Sequence, residues 1–71
     1  MTDSKFLLAL GARIKELRLK KNMTQNDLAV QCNFEKASMS RIESGKTNIT
    51  VLTLKKIGNV LECDIHDFFT S

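Results

Sequence analysis

The sequence predicts an all-α fold of five helices in a single domain, residues 1–71, and three observations predict it. Apolar residues recur at spacings of three and four in the first long segment. Pro, Tyr and Trp are absent and Gly occurs only three times, which disfavours a strand-rich fold with many turns. Polar residues with capping or turn chemistry stand at each break in the apolar pattern: Asn22, Thr24, Asn33, Gly45 and Thr50.

The elements follow in order. Asp3 or Ser4 is expected to cap a first helix running to about Lys21, with Leu7, Leu10, Ile14 and Leu17 on one face. Gly11 costs such a helix about 1 kcal/mol against Ala, which points to another helix passing close by. Asn22 breaks the pattern and Thr24 opens a second helix. Thr24-Gln25-Asn26-Asp27 resembles a capping box, with Asp where Glu is commoner. Leu28, Ala29 and Cys32 form its buried side. Asn33 tolerates the left-handed conformation and suits a tight turn, with Phe34 plugging the junction.

A third helix is expected from about Glu35 to Glu43 or Ser44, with Met39 and Ile42 facing inward and Gly45 ending it. Lys46, Thr47 and Asn48 form a polar loop. Thr50 caps a fourth helix, and Leu52, Leu54, Ile57, Val60 and Leu61 include its buried stripe. Asp64 begins a short fifth helix containing Ile65, Phe68 and Phe69.

Formal charge is +3. Its distribution is more informative than its size. Residues 13–46 hold eight Lys/Arg against the four acids Glu16, Asp27, Glu35 and Glu43, whereas residues 57–71 hold Glu62, Asp64 and Asp67 with no Lys or Arg. A basic body with an acidic tail suits a molecule that turns one end toward a polyanion. The two cysteines lie far apart with no CxxC pair, and no stretch approaches the roughly 20 apolar residues of a membrane span. No signal peptide is apparent, so a cytoplasmic location with reduced thiols is expected.

Two helices of about nine residues joined by a turn have the dimensions of a helix-turn-helix, here centred on residues 24–43. Thr24-Gln25-x-Asp27-Leu28-Ala29, then Ser38-x-Ser40-Arg41-Ile42-Glu43-x-Gly45-Lys46-x-Asn48, then Leu54-x-x-Ile57, resemble the phage repressor/Cro-like (XRE-type) helix-turn-helix family. The resemblance covers residues 10–69, and the Met23-Thr24-Gln25 and Asn33-Phe34 segments are also similar to restriction–modification controller proteins. It implies a five-helix repressor-like domain that regulates transcription by binding a near-palindromic double-stranded operator as a homodimer. Helices 2 and 3 would form the helix-turn-helix, with helix 3 in the major groove. No cofactor is implied, and no small-molecule effector pocket is readable.

What the resemblance implies for single residues is equally specific. Lys36, Ala37, Ser40 and Arg41 correspond to positions that face base edges. Arg41 can bind guanine O6 and N7 through two hydrogen bonds, Lys36 can reach the same atoms or a phosphate, and Ala37 offers only a methyl contact. Gln25, Ser38, Lys46, Thr47 and Asn48 correspond to phosphate-contacting or backbone-supporting positions. Arg18 and Glu43 match a partly buried structural ion pair. Glu35 departs from the Ser or Thr common there and is read as a helix cap in preference to a cytosine contact. Asn33 stands in place of the usual Gly at the turn, and Ile49 in place of a common Pro. Ile65, Phe68 and Phe69 are the candidates for a two-fold interface, with at least one phenylalanine assigned to the core.

An enzyme is disfavoured. Cys63-x-x-His66 supplies two metal ligands, short of a structural zinc site, and the chain has little volume for a catalytic pocket. The stronger alternative is an antitoxin or adaptor module that binds protein on the same fold.

Overall fold

The computed structural model describes residues 2–69, and within them the chain is all helical. Helix α1 spans Asp3–Lys20, α2 Gln25–Cys32, α3 Lys36–Glu43 and α4 Val51–Leu61, followed by a 3-10 helix over Ile65–Phe69. The fifth helix is therefore a 3-10 turn, with the Asp64 amide donating to Asp67 Oδ2 at its start.

Three threonines begin helices. Thr2 accepts the Lys5 amide at the start of α1, so the cap lies one residue before Asp3 and two before Ser4, the expected caps. Thr24 and Asp27 exchange hydrogen bonds in a complete capping box on α2, at 3.0 and 2.9 Å. Thr50 accepts the Thr53 amide on α4. Helix α3 differs. Glu35 occupies its N-cap position, but its side chain makes no capping hydrogen bond, which corrects the expectation that it caps through its carboxylate.

All four α-helices close on a left-handed residue: Asn22, Asn33, Gly45 and Glu62. In each case the next amide reaches back five residues, as Met23 to Arg18, Phe34 to Ala29, Lys46 to Arg41 and Cys63 to Gly58. This motif satisfies carbonyls that the helix end leaves free. Asn33 and Gly45 carried a sequence signal for it. Glu62 carried none, because an acidic side chain seldom adopts this conformation.

The core is Leu10, Ile14, Leu28, Ala29, Cys32, Met39, Leu54, Ile57, Leu61 and Phe68. Leu52, one of the five apolar residues among which the buried stripe of α4 is expected, falls outside it at 73% exposed. It lies two residues from Leu54, about 200° around the helix, so the two cannot share a face. Phe68, a candidate for the two-fold interface, lies in this chain's own core at 3% exposure. The short 3-10 helix must bury one ring to dock, and Phe68 is the one that points inward.

Candidate nucleic-acid interface

Helix α3 buries Met39 and Glu43 and half-buries Ile42, which fixes the rotation of the helix about its axis. Lys36, Ala37, Ser38, Ser40 and Arg41 are all exposed, with Ala37, Ser38 and Arg41 on the side away from Met39 and Glu43 and with Lys36 and Ser40 on the flank. The spacing of one inward residue every three or four positions produces this division.

The axis is fixed as well. A Cβ on Gly11 would fall 2.5 Å from the Glu43 carbonyl oxygen and 2.6 Å from that of Ile42. Helices α1 and α3 therefore touch backbone to backbone where Gly11 stands, as its place inside a helix suggested. Arg18 completes the fastening. Its Nε donates to Glu43 Oε2 at 2.7 Å and its Nη2 to Oε1 at 3.0 Å, with both side chains buried. Its Nη1 donates to the Met23 carbonyl at 2.7 Å, so the guanidinium also holds the segment entering α2. Such a pair is a weak source of net stability but costly to break from one side, since the remaining charge stays buried.

Gln25 occupies the first turn of α2 and is half-buried. Its Nε2 donates to Glu43 Oε1 at 3.2 Å, a contact the sequence did not suggest. The Asp27 amide is taken by Thr24, and no internal partner is present among the described residues for the amides of Gln25 and Asn26. These are the N–H groups that a helix N-terminus offers to an anion. The Asp27 carboxyl is held below its ordinary value by the Thr24 amide that donates to it.

Ser38, Arg41, Thr47 and Asn48 come together around one open depression of about 300 Å³ between α3, the following loop and α4. Two further residues belong to this surface. Thr53 lines the depression and shares a hydroxyl contact with Thr50 at 2.9 Å. Lys56 places its Nζ 5.8 Å from the ring centre of Phe34, which lines the same depression. The Thr50-x-x-Thr53 spacing was a signal for Thr53, legible only as a cap; Lys56 had none. Lys46 lies just beyond, exposed.

A family model for the helix-turn-helix, HTH_3, matches residues 14–68. The chain belongs to this helix-turn-helix family. It is a DNA-binding transcriptional regulator of the XRE/C1 type, in a family made of transcriptional regulators. Control protein C.BamHI of Bacillus amyloliquefaciens is 34% identical over 67 residues, covering 89% of this chain and 83% of that one. The restriction–modification controller protein C.AhdI from Aeromonas hydrophila superposes with a TM-score of 0.88 at 25% identity, covering 92% of this chain and 98% of that one. The biofilm regulator SinR, solved in complex with DNA, superposes with a TM-score of 0.78 at 31% identity, covering 86% and 98%.

Outside this surface, Phe69 of the regulator is 55% exposed and its ring meets Phe6 edge-on, 5.9 Å between centres. Ile65 is half-buried against the core. Phe6, Leu10, Ile49, Val51 and Phe69 help line an apolar groove of about 350 Å³, which shares Asn48 with the depression beside α3. Burial raises the Cys32 and Cys63 thiols above their ordinary value, and Asp67 and Asp64 push Cys63 further in the same direction. Among the described residues no group of three His, Cys, Asp or Glu could hold a metal ion, and no helix is long and apolar enough to cross a membrane.

Proposed function

We propose that this regulator binds a near-palindromic duplex operator as a homodimer, with α3 in the major groove. The observation that carries the reading is the outward face of α3: Lys36, Ala37, Ser40 and Arg41 are all exposed on a helix whose other side is locked to α1. Those four residues face base edges in this reading. Gln25, Ser38, Lys46, Thr47 and Asn48 meet phosphates, and Thr53 is added to them because it lines the same depression. The DNA complex of SinR supports DNA as the partner. The names of C.BamHI and C.AhdI support a role in controlling a restriction–modification system. The bacterial and archaeal sources of its relatives support a cytoplasmic location.

One recognition helix spans only a few base pairs, so specificity calls for two. The interface we propose is the apolar surface around that groove, with Phe69 and Ile65 from the 3-10 helix joined by Phe6 and Val51. Phe68 is left out because it is already consumed by the core. Such a dimer sets its recognition helices about 34 Å apart, one turn of duplex.

Selecting bound sites from a random duplex library tests the reading. Two inverted half-sites centred about 10 base pairs apart are expected, with log affinity falling linearly as log salt rises. No enrichment, together with binding that is absent or indifferent to salt, would overturn it in favour of a protein-binding adaptor.

A further inference from the structure

One carboxylate, that of Glu43, joins the scaffold to the candidate phosphate contact. Its Oε2 accepts from Arg18 Nε at 2.7 Å, and its Oε1 accepts from both Arg18 Nη2 at 3.0 Å and Gln25 Nε2 at 3.2 Å. Glu43 is the last residue of α3, Gln25 the first of α2 and Arg18 lies near the end of α1. Three helices therefore meet at one buried charge, and no buried side-chain polar atom among the described residues is left without a partner.

A glutamine in the first turn of a helix has a flexible side chain, and freezing it on binding costs rotamer entropy. The hydrogen bond to Glu43 meets part of that cost before DNA arrives. It also fixes which way the amide faces: the nitrogen lies toward Glu43, because a carboxylate accepts only. One amide hydrogen is used by Glu43, and the second stays available to a phosphate beside the free amides of Gln25 and Asn26.

We infer that Glu43 is a positioning residue for DNA binding, holding Gln25 in the orientation in which it meets a phosphate. This rests on the reading of Gln25 as a phosphate contact given above. Glu43 has a structural role through Arg18 as well, and the positioning role differs from it in acting at a single phosphate.

The test is a scan in which single phosphates of the library-selected duplex are replaced, one at a time, by neutral methylphosphonates. Wild-type protein, Gln25→Ala and the double variant Arg18→Met/Glu43→Leu are compared. The double variant replaces both buried charges with apolar side chains, an exchange that such pairs often tolerate without loss of stability. Circular dichroism establishes that it is folded at the assay temperature. Should it unfold, Arg18→Leu/Glu43→Met assayed in the cold takes its place, since it too leaves Gln25 without an acceptor at position 43.

At one phosphate per half-site the wild type is expected to lose affinity roughly two- to tenfold, the scale of one hydrogen bond. Gln25→Ala is expected to lose measurably less there, because only the backbone amides still meet that phosphate. The folded Glu43 variant is expected to behave like Gln25→Ala at that phosphate and like the wild type at the others. A folded Glu43 variant that keeps the full wild-type loss at that phosphate overturns the positioning role while leaving Gln25 as a contact. If no phosphate distinguishes Gln25→Ala from the wild type, the contact itself is refuted and the positioning role falls with it.

Discussion

The Gly11 Cα lies directly against the backbone carbonyl of Glu43, so close that an added Cβ would sit 2.5 Å from that oxygen. In an open helix Gly→Ala stabilises by about 1 kcal/mol. Here the methyl would meet two backbone carbonyls rather than a movable side chain, so the sign reverses. Gly11→Ala is expected to destabilise by about 1–3 kcal/mol, the usual scale of overpacking. For a domain this small each kcal/mol is roughly 4–8 °C in melting temperature. A thermal melt checks it, and a rise in Tm would show that α1 and α3 are not in backbone contact.

Glu43→Ala leaves Arg18 buried without its partner. The expected loss is on the order of 3–5 kcal/mol for a fully buried pair. The melting temperature should fall before the selected DNA sequence changes, because Glu43 lies on the inward side of α3. An unchanged melt would remove the ion pair from the scaffold.

Phe68 and Phe69 are adjacent but have opposite surroundings, 3% and 55% exposed. Phe68→Ala is expected to cost roughly 3–5 kcal/mol, as core aromatics do. Phe69→Asp is expected to leave the fold intact and yield a monomer in sedimentation. A dimer that persists in Phe69→Asp would move the interface elsewhere.

Acid sensitivity should trace in part to Asp27, whose pKa is depressed below its ordinary 3.8 by the Thr24 amide. A depressed carboxyl contributes stability that is present above its unfolded pKa and lost as pH falls through its folded one. The Tm advantage of wild type over Asp27→Asn should therefore hold at neutral pH and shrink below about pH 4. An advantage constant with pH would contradict the charge-assisted cap.

Much of this arrangement was legible in the sequence because its signals are local. The Thr24–Asp27 box, Asn33 and Gly45 as left-handed residues, and Gly11 as a close approach each follow from one residue type meeting one backbone requirement. The Arg18–Glu43 pair was legible through family resemblance, since nothing local links residues in α1 and α3. The hydrogen bond from Gln25 to Glu43 was not legible, because it depends on where the ends of three helices meet. Which of the five apolar residues of α4 face inward follows from the 3.6-residue period, which carries Leu52 around to the solvent side from Leu54. Phe68 and Phe69 could not be told apart, because a single 3-10 turn is too short for periodicity to assign an inward ring.

The central claim is that the exposed face of α3 reads bases, and Arg41 tests it most directly. It is exposed, lines the depression with Ser38 and Asn48, and has the donors for a two-point contact with guanine. The measurement is site selection from one random duplex library by wild type and by Arg41→Ala in parallel. Arg41→Ala is expected to lose preference at one position of each half-site, a penalty of about 1–3 kcal/mol there, and to keep the rest of the pattern. If Arg41→Ala selects the same sequence with the same affinity at every position, Arg41 does not read bases and the assignment of α3 as the reading helix is contradicted.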